Sequence, residues 1–466
     1  MKTILVPLFS GVEAKNILRT DIGARLLADP EVRAVFLLKN RYLLEYYQAE
    51  FAGTKAHFEL APKQSPSHVD RFFAVLKFYL LRSATVDLHR KTRYGEEKKL
   101  HSFIASYLVN RIFARPFFRM LVRFADERLV VNRVFDPLFQ KYKPDLVFLA
   151  DLFDDAEVAI LRTARAHGVR SLGLINTWDR TTSRWMLRLL PDEFVVFNEI
   201  MKEELVRYAD MKVSRITISG TVQHDHLLTR LKSPRTVFTA KLGIPSDYEI
   251  LLYCPIGTNF DKSRPELDRG VIERLSRWVE EGLFGTRKIT VLVRFHPNDL
   301  VDTHEWPMLP HVVYDRPGKK FTQVLSDAVF SRTRGQNWDM TDDDLQHLAD
   351  TLYHTRLVIC YYTSLSLDAA VLEKPVININ FDIREGVVIK RPHPYYETTH
   401  YKKARDTGGI AVVQTEQEFK EKLLRYYADP SLGAEERNAL VRSQCTYADG
   451  KSGERVALKI LSAVGL

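Results

Sequence analysis

Short apolar runs separated by longer amphipathic segments recur along most of this chain. The first apolar run covers residues 3–7, a helical pattern follows over about 14–27, and a second apolar run covers 32–38. A short apolar run bounded by turn residues predicts a buried strand, and a period of 3.6 predicts a helix between two such strands. The strand–helix–strand order therefore predicts a parallel sheet with right-handed crossovers, which is a Rossmann-like start.

The same pattern resumes after residue 145 and continues almost to the end of the chain. The predicted strands are 146–150, 171–176, 193–197, 216–219, 250–254, 289–293, a strand near Val312, 357–360 and 376–379. The predicted helices are 155–167, 199–208, 267–281, 341–355, 416–428 and 453–464. This order predicts the α/β class, with two Rossmann-like domains facing a cleft. We place an N-terminal domain at 1–225, a C-terminal domain at 240–445 and a closing helical segment at 446–466.

Residues 70–142 interrupt the alternation with long helical patterns rich in Phe, Tyr, Leu and Arg. Arg111, Arg115, Arg119 and Arg123 recur every four residues, which predicts one basic stripe along a helix. We interpret the segment as a basic helical insertion in the N-terminal domain. A basic amphipathic helix can lie on an anionic membrane surface. The alternative is an ordinary packed insertion with a solvated charged face.

The positive charge of the chain is concentrated in the same insertion. The chain has 466 residues and a net charge of +9, and residues 71–135 alone carry 14 Lys plus Arg against 5 Asp plus Glu, a difference of 14 − 5 = +9. Its aromatic residues have the spacing of packing residues and no nucleic-acid module is recognised, so we expect no nucleic-acid partner. The apolar runs are too short for a bilayer crossing, and Cys254, Cys360 and Cys445 lack metal-ligand spacing. We expect a cytoplasmic protein, with peripheral attachment to the inner membrane face as the alternative.

A hydroxyl-rich turn follows the predicted strand 357–360. Thr363, Ser364 and Ser366 stand where the next helix begins, and a helix start offers free N–H groups and the positive end of its dipole to a phosphate. Asp368 lies one helical turn beyond Ser364, where it can accept a hydrogen bond from a ribose hydroxyl. We predict donor binding at this turn, and plain helix capping is the alternative.

A second strand end carries charge. Arg294 and His296 follow the strand 289–293, and ligands of parallel α/β sheets bind beyond the carboxyl ends of strands. Arg294 is suited to neutralise a leaving phosphate, and His296 to bind phosphate or act as acid and base. Gly257 and Thr258, after the strand 250–254, are predicted to bring the backbone close to a diphosphate. The alternatives are an ion pair for Arg294 and a strand cap for His296.

The acceptor side is predicted at two loops of the first domain. Gly11 follows the first strand directly, and Trp178 and Asp179 follow the strand 171–176. Asp179 is the candidate base for the acceptor hydroxyl. A helix-capping aspartate is the equal alternative.

No metal or other cofactor is expected. His224 and His226 flank Asp225, and neighbours in that order point to different sides of most backbones, so a zinc site is disfavoured. The three aspartates at 342–344 are better explained by the dipole of the helix they begin.

Several motifs then share one order along the chain. They are 176–183 (NTWDRTTS), 241–250 (KLGIPSDYEI) with 253–255 (YCP), 293–297 (VRFHP), 362–368 (YTSLSLD) with 374–377 (KPVI), and 449–456 (DGKSGERV). In these stretches the chain resembles the GT-B glycosyltransferase superfamily, and within it CDP-glycerol glycerophosphotransferase and related surface-carbohydrate proteins. The resemblance implies a nucleotide-activated donor on the second domain and an acceptor on the first.

Two positions depart from the family pattern. Tyr361 stands where such glycerophosphotransferases usually carry an acidic residue, and Phe295 replaces the proline of their Arg-Pro-His-Pro motif. The transferred group is therefore either a sugar or a polyol phosphate, moved to a cell-surface glycan or lipid-linked precursor. A nucleotide-sugar 2-epimerase on the same fold and a non-catalytic glycan-binding relative are the alternatives.

Overall fold

The chain folds into two compact α/β units. The computed structural model describes residues 1–256, 264–297, 299, 306–321, 338–390 and 392–466. Unit 1 comprises Met1–Val222, Glu397–His400 and Cys445–Leu466, and unit 2 comprises Gln223–Tyr396 and Tyr401–Gln444. Each unit is built on a parallel sheet, so the predicted α/β class with two Rossmann-like halves is confirmed.

Unit 1 contains a seven-stranded sheet in the order β3-β2-β1-β4-β5-β6-β7, with every pair parallel. Its strands are β1 Lys2–Pro7, β2 Val32–Leu38, β3 His57–Leu60, β4 Leu146–Leu149, β5 Arg170–Leu174, β6 Glu193–Val196 and β7 Ile216–Ile218. The central strands are apolar runs buried on both faces, as a sheet covered by helices requires.

The helices up to residue 209 belong to unit 1. They are α1 Gly11–Ile17, α2 Asp21–Ala28, α3 Arg41–Glu50, α4 His68–Leu76, α5 Ala84–Glu97, α6 Leu100–Phe113, α7 Pro116–Leu129, α8 Asp136–Tyr142, α9 Asp155–Ala166, α10 Arg180–Ser183 and α11 Glu199–Ala209, with 3-10 turns at Lys77–Tyr79 and Val213–Arg215. The single helix expected at 14–27 is two helices, because the Thr20 side chain accepts a hydrogen bond from Ile22 N and begins α2.

The predicted arginine stripe is wrong. α6 ends at Phe113 and α7 begins at Pro116, since proline has no N–H to donate and favours the first turn of a helix. Arg115 lies in the connection between the two helices. The four arginines therefore do not share one helix.

Three of those arginines also form ion pairs with carboxylates. Arg111 pairs with Asp87 at 2.9 Å, and Arg119 and Arg123 pair with Asp210 at 2.6 and 2.8 Å. Arg111 joins two helices of the insertion, whereas Arg119 and Arg123 attach α7 to the end of α11. These three arginines therefore do not form a free cationic face.

Unit 2 contains a six-stranded sheet in the order β10-β9-β8-β13-β14-β17, again with every pair parallel. The strands described in this unit are β8 Glu249–Cys254, β9 Ile289–Arg294, β10 Val312–Asp315, β11 Lys319–Lys320, β12 Trp338–Asp339, β13 Leu357–Cys360, β14 Val376–Ile379, β15 Asp382–Arg384, β16 Val387–Ile389 and β17 Ala411–Val413. β11 with β12 and β15 with β16 form two small antiparallel pairs.

The remaining described helices lie from residue 222 onward. They are α12 Val222–Thr229, α13 Arg235–Lys241, α14 Arg264–Glu280, α15 Asp342–His354, α16 Leu365–Val371, α17 Thr399–Arg405, α18 Glu416–Ala428, α19 Ala434–Cys445 and α20 Ser452–Val464, with a 3-10 turn at Pro394–Glu397. As expected, the aspartates at 342–344 form the first turn of α15.

The C-terminal segment packs within unit 1. Arg25 of α2 pairs with Glu454 of α20 at 2.5 Å, and Arg170 donates to the carbonyl oxygen of Ala463 at 3.0 Å. The helical segment that we set apart at 446–466 thus completes the unit formed by the start of the chain.

Two further sequence expectations concern membrane crossing and cysteines. Among the helices of the described ranges, none combines the length and the apolar character that a bilayer crossing requires. Cys254, Cys360 and Cys445 are all buried free thiols.

Candidate functional site

In unit 2, Arg294 ends β9 at the carboxyl edge of the sheet. Val293 is paired with Tyr253 of β8, and Cys254 is paired with Cys360 of β13. Neighbouring strands lie about 4.8 Å apart, so Arg294 and Cys360 are separated by two strand spacings, about 10 Å. The two strand ends singled out from the sequence therefore meet at one edge.

The guanidinium of Arg294 is buried, with the residue 5% exposed. Its Nη1 donates to Asp315, which also lies 3.0 Å from His347 Nε2. Burial alone would raise the pKa of Asp315, but the His347 hydrogen bond and the charge of Arg294 lower it. Among the described residues, none accepts a hydrogen bond from Arg294 Nη2. Arg294 thus forms an ion pair, which was the alternative interpretation. Its Nη2 is the nitrogen that an anion could still contact.

Asp368 lies in the first turn of α16 and is held by a histidine. His224 Nε2, from the start of α12, lies 2.9 Å from Asp368 Oδ1, and His224 is buried. Arg294 and Asp368 both act electrostatically on the thiol of Cys254, which places both charges near the end of β8. Sequence reasoning considered His224 only as a metal ligand, because its partner is 144 residues away.

The hydroxyl turn divides into a buried and an accessible part. Ser366 is fully buried, and its Oγ lies 3.2 Å from Asn378 Nδ2 and 3.3 Å from Tyr401 Oη. The Ser366 hydroxyl is thus engaged in a buried network, and donor binding by Ser366 stays a prediction. Thr363 and Ser364 are half-buried, and the Ser364 side chain makes no capping hydrogen bond. They stay donor-binding predictions, although α16 has only seven residues and a correspondingly small dipole.

Aromatic rings follow β13 and were missed by sequence reasoning. Tyr362 stacks on Tyr395 with centroids 4.7 Å apart and ring planes 16° apart, and it meets Tyr396 edge-on at 5.5 Å. His393 meets the Tyr361 ring edge-on, with centroids 5.3 Å apart, and its Nε2 lies 3.0 Å from Asp382 Oδ1. The Tyr-Tyr pairs at 361–362 and 395–396 are visible in the sequence, but the sequence does not show that they contact each other in the fold.

The structure says less about the other residues predicted to bind the donor. His296 is exposed, and its ring centroid lies 5.8 Å from that of Trp338. Gly257 and Thr258 lie outside the described residues. All three stay predictions.

In unit 1, Asp179 is a firmly held anion. It accepts hydrogen bonds from Thr177 Oγ1 at 2.9 Å and Ser183 Oγ at 2.7 Å. Burial would raise the pKa of Asp179, but the imidazole of His400 and the Ser183 hydrogen bond lower it to about 2. A general base works best with a pKa near the working pH, so a carboxylate with this pKa is a weak base. The assignment of Asp179 as the base stays a prediction. Trp178 lies edge-on to His400 at 5.0 Å.

A second carboxyl of unit 1 behaves in the opposite way. Glu13, two residues after Gly11 in α1, is buried and accepts hydrogen bonds from Phe9 N, Ser10 N and Ser10 Oγ. Burial, followed by the charge of Asp151, raises the pKa of Glu13 to about 8. Sequence reasoning missed Glu13 because Ser followed three residues later by Glu is also the capping-box signature.

Glu13 belongs to a buried acidic group. The pKa of Glu157 is also raised, by burial and by Glu13, and Glu157 accepts from Asp151 N at 2.7 Å. Arg180 pairs with Asp151 at 2.5 Å. β1 and β4 are neighbours in the sheet, so this group lies at the carboxyl edge of unit 1.

Within the described ranges, no three His, Cys, Asp or Glu side chains are arranged to hold a metal ion. Metal independence stays a prediction.

A cavity of about 700 Å³ lies at the opposite, amino-terminal edge of the unit 2 sheet. Arg235, Arg356, Lys374 and Arg437 line it, but each donates to backbone carbonyls. We assign these cations a structural role.

The two α/β units define the GT-B fold class. The Staphylococcus aureus MnaA–UDP structure is similar, with 11% identity, a TM-score of 0.54 and coverage of 100% of this chain and 98% of that chain. UDP-GlcNAc 2-epimerase from Neisseria meningitidis bound to UDP-GlcNAc has 11% identity, a TM-score of 0.53 and coverage of 99% and 100%. A variant of the wall teichoic acid polymerase TagF has 12% identity, a TM-score of 0.50 and coverage of 99% and 89%.

These neighbours include enzymes of two kinds, an epimerase and a polymerase. At such low identity the likeness establishes the shared fold and does not choose between the two activities. No protein-family model matches this chain, and no curated protein sequence matches it.

Proposed function

We propose that this protein is a transferase that moves a sugar or polyol phosphate from a nucleotide-activated donor to a cell-surface glycan or lipid-linked precursor. The observation that carries the proposal is the buried Arg294 at the carboxyl edge of unit 2, with Nη2 lacking an acceptor among the described residues. Buried cations are usually fully satisfied. An anionic group of a ligand would complete this one.

The chemistry of transfer fits that position. The bond between the transferred group and the donor phosphate breaks, and negative charge develops on the leaving phosphate oxygen. A fixed cation in a site of low dielectric stabilises that charge without having to reorganise. Asp315, which is itself bonded to His347, fixes the Arg294 guanidinium. We assign Asp368, held by His224, to accept a hydrogen bond from a donor hydroxyl. The Tyr362–Tyr395 stack offers a ring surface to the base.

A thermal-shift panel of CDP, UDP, GDP and CMP tests the donor site. A nucleotide that binds the folded protein raises its stability by about 2.7 kcal/mol at 100 times Kd. Arg294→Lys keeps a cation beside Asp315 but removes the second nitrogen, so we expect it to lose most of the nucleotide shift. Arg287→Lys, at an exposed arginine of the same unit, is the matched control and should keep it.

An equal shift for the Arg294→Lys and Arg287→Lys variants would contradict the donor site. Repeating this panel and a donor-turnover assay in the presence of EDTA checks the proposed metal independence. Since the cation that we assign to the leaving phosphate belongs to Arg294, EDTA should leave both the nucleotide shift and the donor turnover unchanged.

One observation favours a second candidate, a nucleotide-sugar 2-epimerase. Such an enzyme removes and returns a proton on the sugar and needs no acceptor. Glu13 and Glu157 are buried carboxyls whose pKa values are raised, that of Glu13 to about 8, which suits a group that gives up and takes back a proton. Incubation with UDP-N-acetylglucosamine alone separates the two candidates. Epimerised sugar nucleotide without any acceptor would establish the second, while donor cleavage that depends on an added acceptor would establish the first.

The proposed acceptor class supports a location at the inner membrane face. A lipid-linked precursor lies at the bilayer surface, and one structural neighbour is named as a wall teichoic acid polymerase. We therefore propose peripheral membrane attachment, through the helical insertion of unit 1.

A further inference from the structure

The helical insertion exposes large apolar side chains on three helices. Phe72 of α4 is 60% exposed, and Phe117 and Met120 of α7 are 63% and 62% exposed. Ile104 and Leu108 of α6, one turn apart, are also exposed. We call these residues, with Phe124, the apolar surface of the insertion. Single exposed apolar residues are ordinary, but several on adjoining helices mark an interaction site.

The helices are held in place by polar contacts on their inner sides. In α7, Arg119 and Asp126 are buried while Phe117 and Phe124 face outward. Arg119 pairs with Asp210, and Asp126 pairs with Arg188 at 2.8 Å. This is the reverse of a soluble helix, which buries its apolar face.

Helix α6 is fixed in a similar way. The side-chain nitrogen of Asn110 donates to the carbonyl oxygens of Tyr79 and Leu81, both at 2.7 Å, and Phe113 meets Phe118 of α7 edge-on at 4.9 Å. The 3-10 turn Lys77–Tyr79 directly continues α4. The exposed side chains of α4, α6 and α7 therefore stand on one connected scaffold.

The charge around the apolar surface is mainly positive. Residues 98–125 are 28 residues without an Asp or Glu and with six Lys or Arg. Three of the six are paired with carboxylates, as described above, and the exposed Lys99 lies 3.8 Å from a carboxylate oxygen of Glu97. Lys98 and Arg115 are also exposed. Two copies of this surface would repel each other, because each would bring a net positive charge to the contact. A surface that is apolar at its centre and cationic at its edge complements an anionic bilayer.

We propose that the apolar surface of the insertion docks on anionic lipid, with Phe72, Ile104, Leu108, Phe117, Met120 and Phe124 entering the acyl boundary and Lys98, Lys99 and Arg115 meeting the headgroups. The inference deepens the proposed function and rests on it only for the choice of membrane. It assigns lipid insertion to the apolar residues and leaves the paired arginines their structural role.

Vesicle sedimentation of the full chain tests this surface. The probes are phosphatidylcholine vesicles with and without roughly 30% phosphatidylglycerol. We expect binding to the anionic vesicles and roughly tenfold weaker binding by the double variant Phe117→Ser, Met120→Ser, since it removes apolar insertion. Leu231→Ser, at an exposed leucine of unit 2, is the matched control and should bind like the unchanged chain.

Three results would overturn the proposal: no binding to anionic vesicles, equal binding by the double variant, or equal binding to vesicles without phosphatidylglycerol. A dimer in light scattering that the double variant abolishes would assign the surface to a second copy instead. The nucleotide thermal shift of the double variant should match that of the unchanged chain. Loss of vesicle binding with that shift retained separates failure of docking from failure of the donor site.

Discussion

At the residue scale, two carboxyl groups of unit 1 show how surroundings decide charge. Glu13 and Asp179 are both largely removed from water, yet their pKa values move in opposite directions. The negative charge of Asp151 raises the pKa of Glu13, whereas the imidazole of His400 and a hydrogen bond from the Ser183 hydroxyl lower that of Asp179. Groups whose pKa values are pushed apart in this way divide the roles of proton carrier and fixed anion.

The raised pKa of Glu13 predicts a pH-dependent stability. In the unfolded chain Glu13 titrates near its ordinary value of 4.5, and in the folded chain near 8. Folding therefore favours the protonated form. The stability contributed by Glu13 is fully present below pH 4.5 and is lost as the pH rises towards 8, at about 1.4 kcal/mol for each pH unit.

Glu13→Gln removes this titration, because the amide is neutral at every pH. Between about pH 5 and about pH 7.5 we expect the variant to lose less unfolding free energy than the unchanged chain, by roughly 1.4 kcal/mol per pH unit. Urea unfolding at both pH values measures the difference. Glu31→Gln, at an exposed glutamate of the same unit, should follow the unchanged chain. Parallel pH profiles for Glu13→Gln and the unchanged chain would show that Glu13 is ionised in the folded protein.

At the element scale, local hydrogen bonds fix where helices begin. Thr341 accepts from Asp344 N at 3.2 Å, and Asp344 accepts from Thr341 N at 2.9 Å. This reciprocal pair is a capping box at the start of α15. Asp344 also accepts from Gly318 N at 3.0 Å, so the cap ties the helix to the segment after β10.

Thr341→Ala is expected to destabilise unit 2 by about 0.5–2 kcal/mol, because it removes the acceptor for one of the free N–H groups of α15. Urea unfolding monitored by circular dichroism measures the loss. Lys99→Ala provides the comparison, since Lys99 begins α6 without a side-chain capping hydrogen bond, and it should have little effect. Equal losses for the two variants would mean that the Thr341 cap contributes nothing measurable.

The sequence predicted elements well wherever hydrophobic period and turn residues agreed. The strand 32–38 and the helix 416–428 have the bounds expected for them. β3 was missed, because His57–Leu60 has only four residues and only Phe58 is buried. The predicted arginine stripe is wrong because Pro116 begins a new helix and interrupts the period of four, and a proline is the stronger local signal.

The candidate site was predictable where it depends on strand ends and not where it depends on distant partners. Arg294 follows an apolar strand directly, so its place at the sheet edge follows from the local pattern. His224 meets Asp368, and Trp178 meets His400, only after folding. Ser366 shows the limit of spacing arguments, because its hydroxyl points into a buried network with Asn378 that no local pattern reveals.

At the scale of the whole molecule, unit 1 is closed by the two ends of the chain. The first 222 residues supply its sheet, and α20 returns from the far end to pack against α2, β4 and β5. Val456, Ala457 and Ile460 of α20 are fully buried. Since unit 2 has its own sheet and core, weakening α20 should affect one unit only.

Ile460→Ala tests this division in the full chain. Removing a buried isoleucine side chain leaves a cavity and costs about 2–5 kcal/mol, and we expect the loss to appear in unit 1. Hydrogen exchange should show reduced protection of β1, β4 and β5, with protection of β8, β9 and β13 unchanged. Leu458→Ala, on the same helix but at a residue 50% exposed, should leave both sheets protected. Equal loss of protection in both sheets after Ile460→Ala would show that the chain unfolds as one cooperative unit, whatever its two cores.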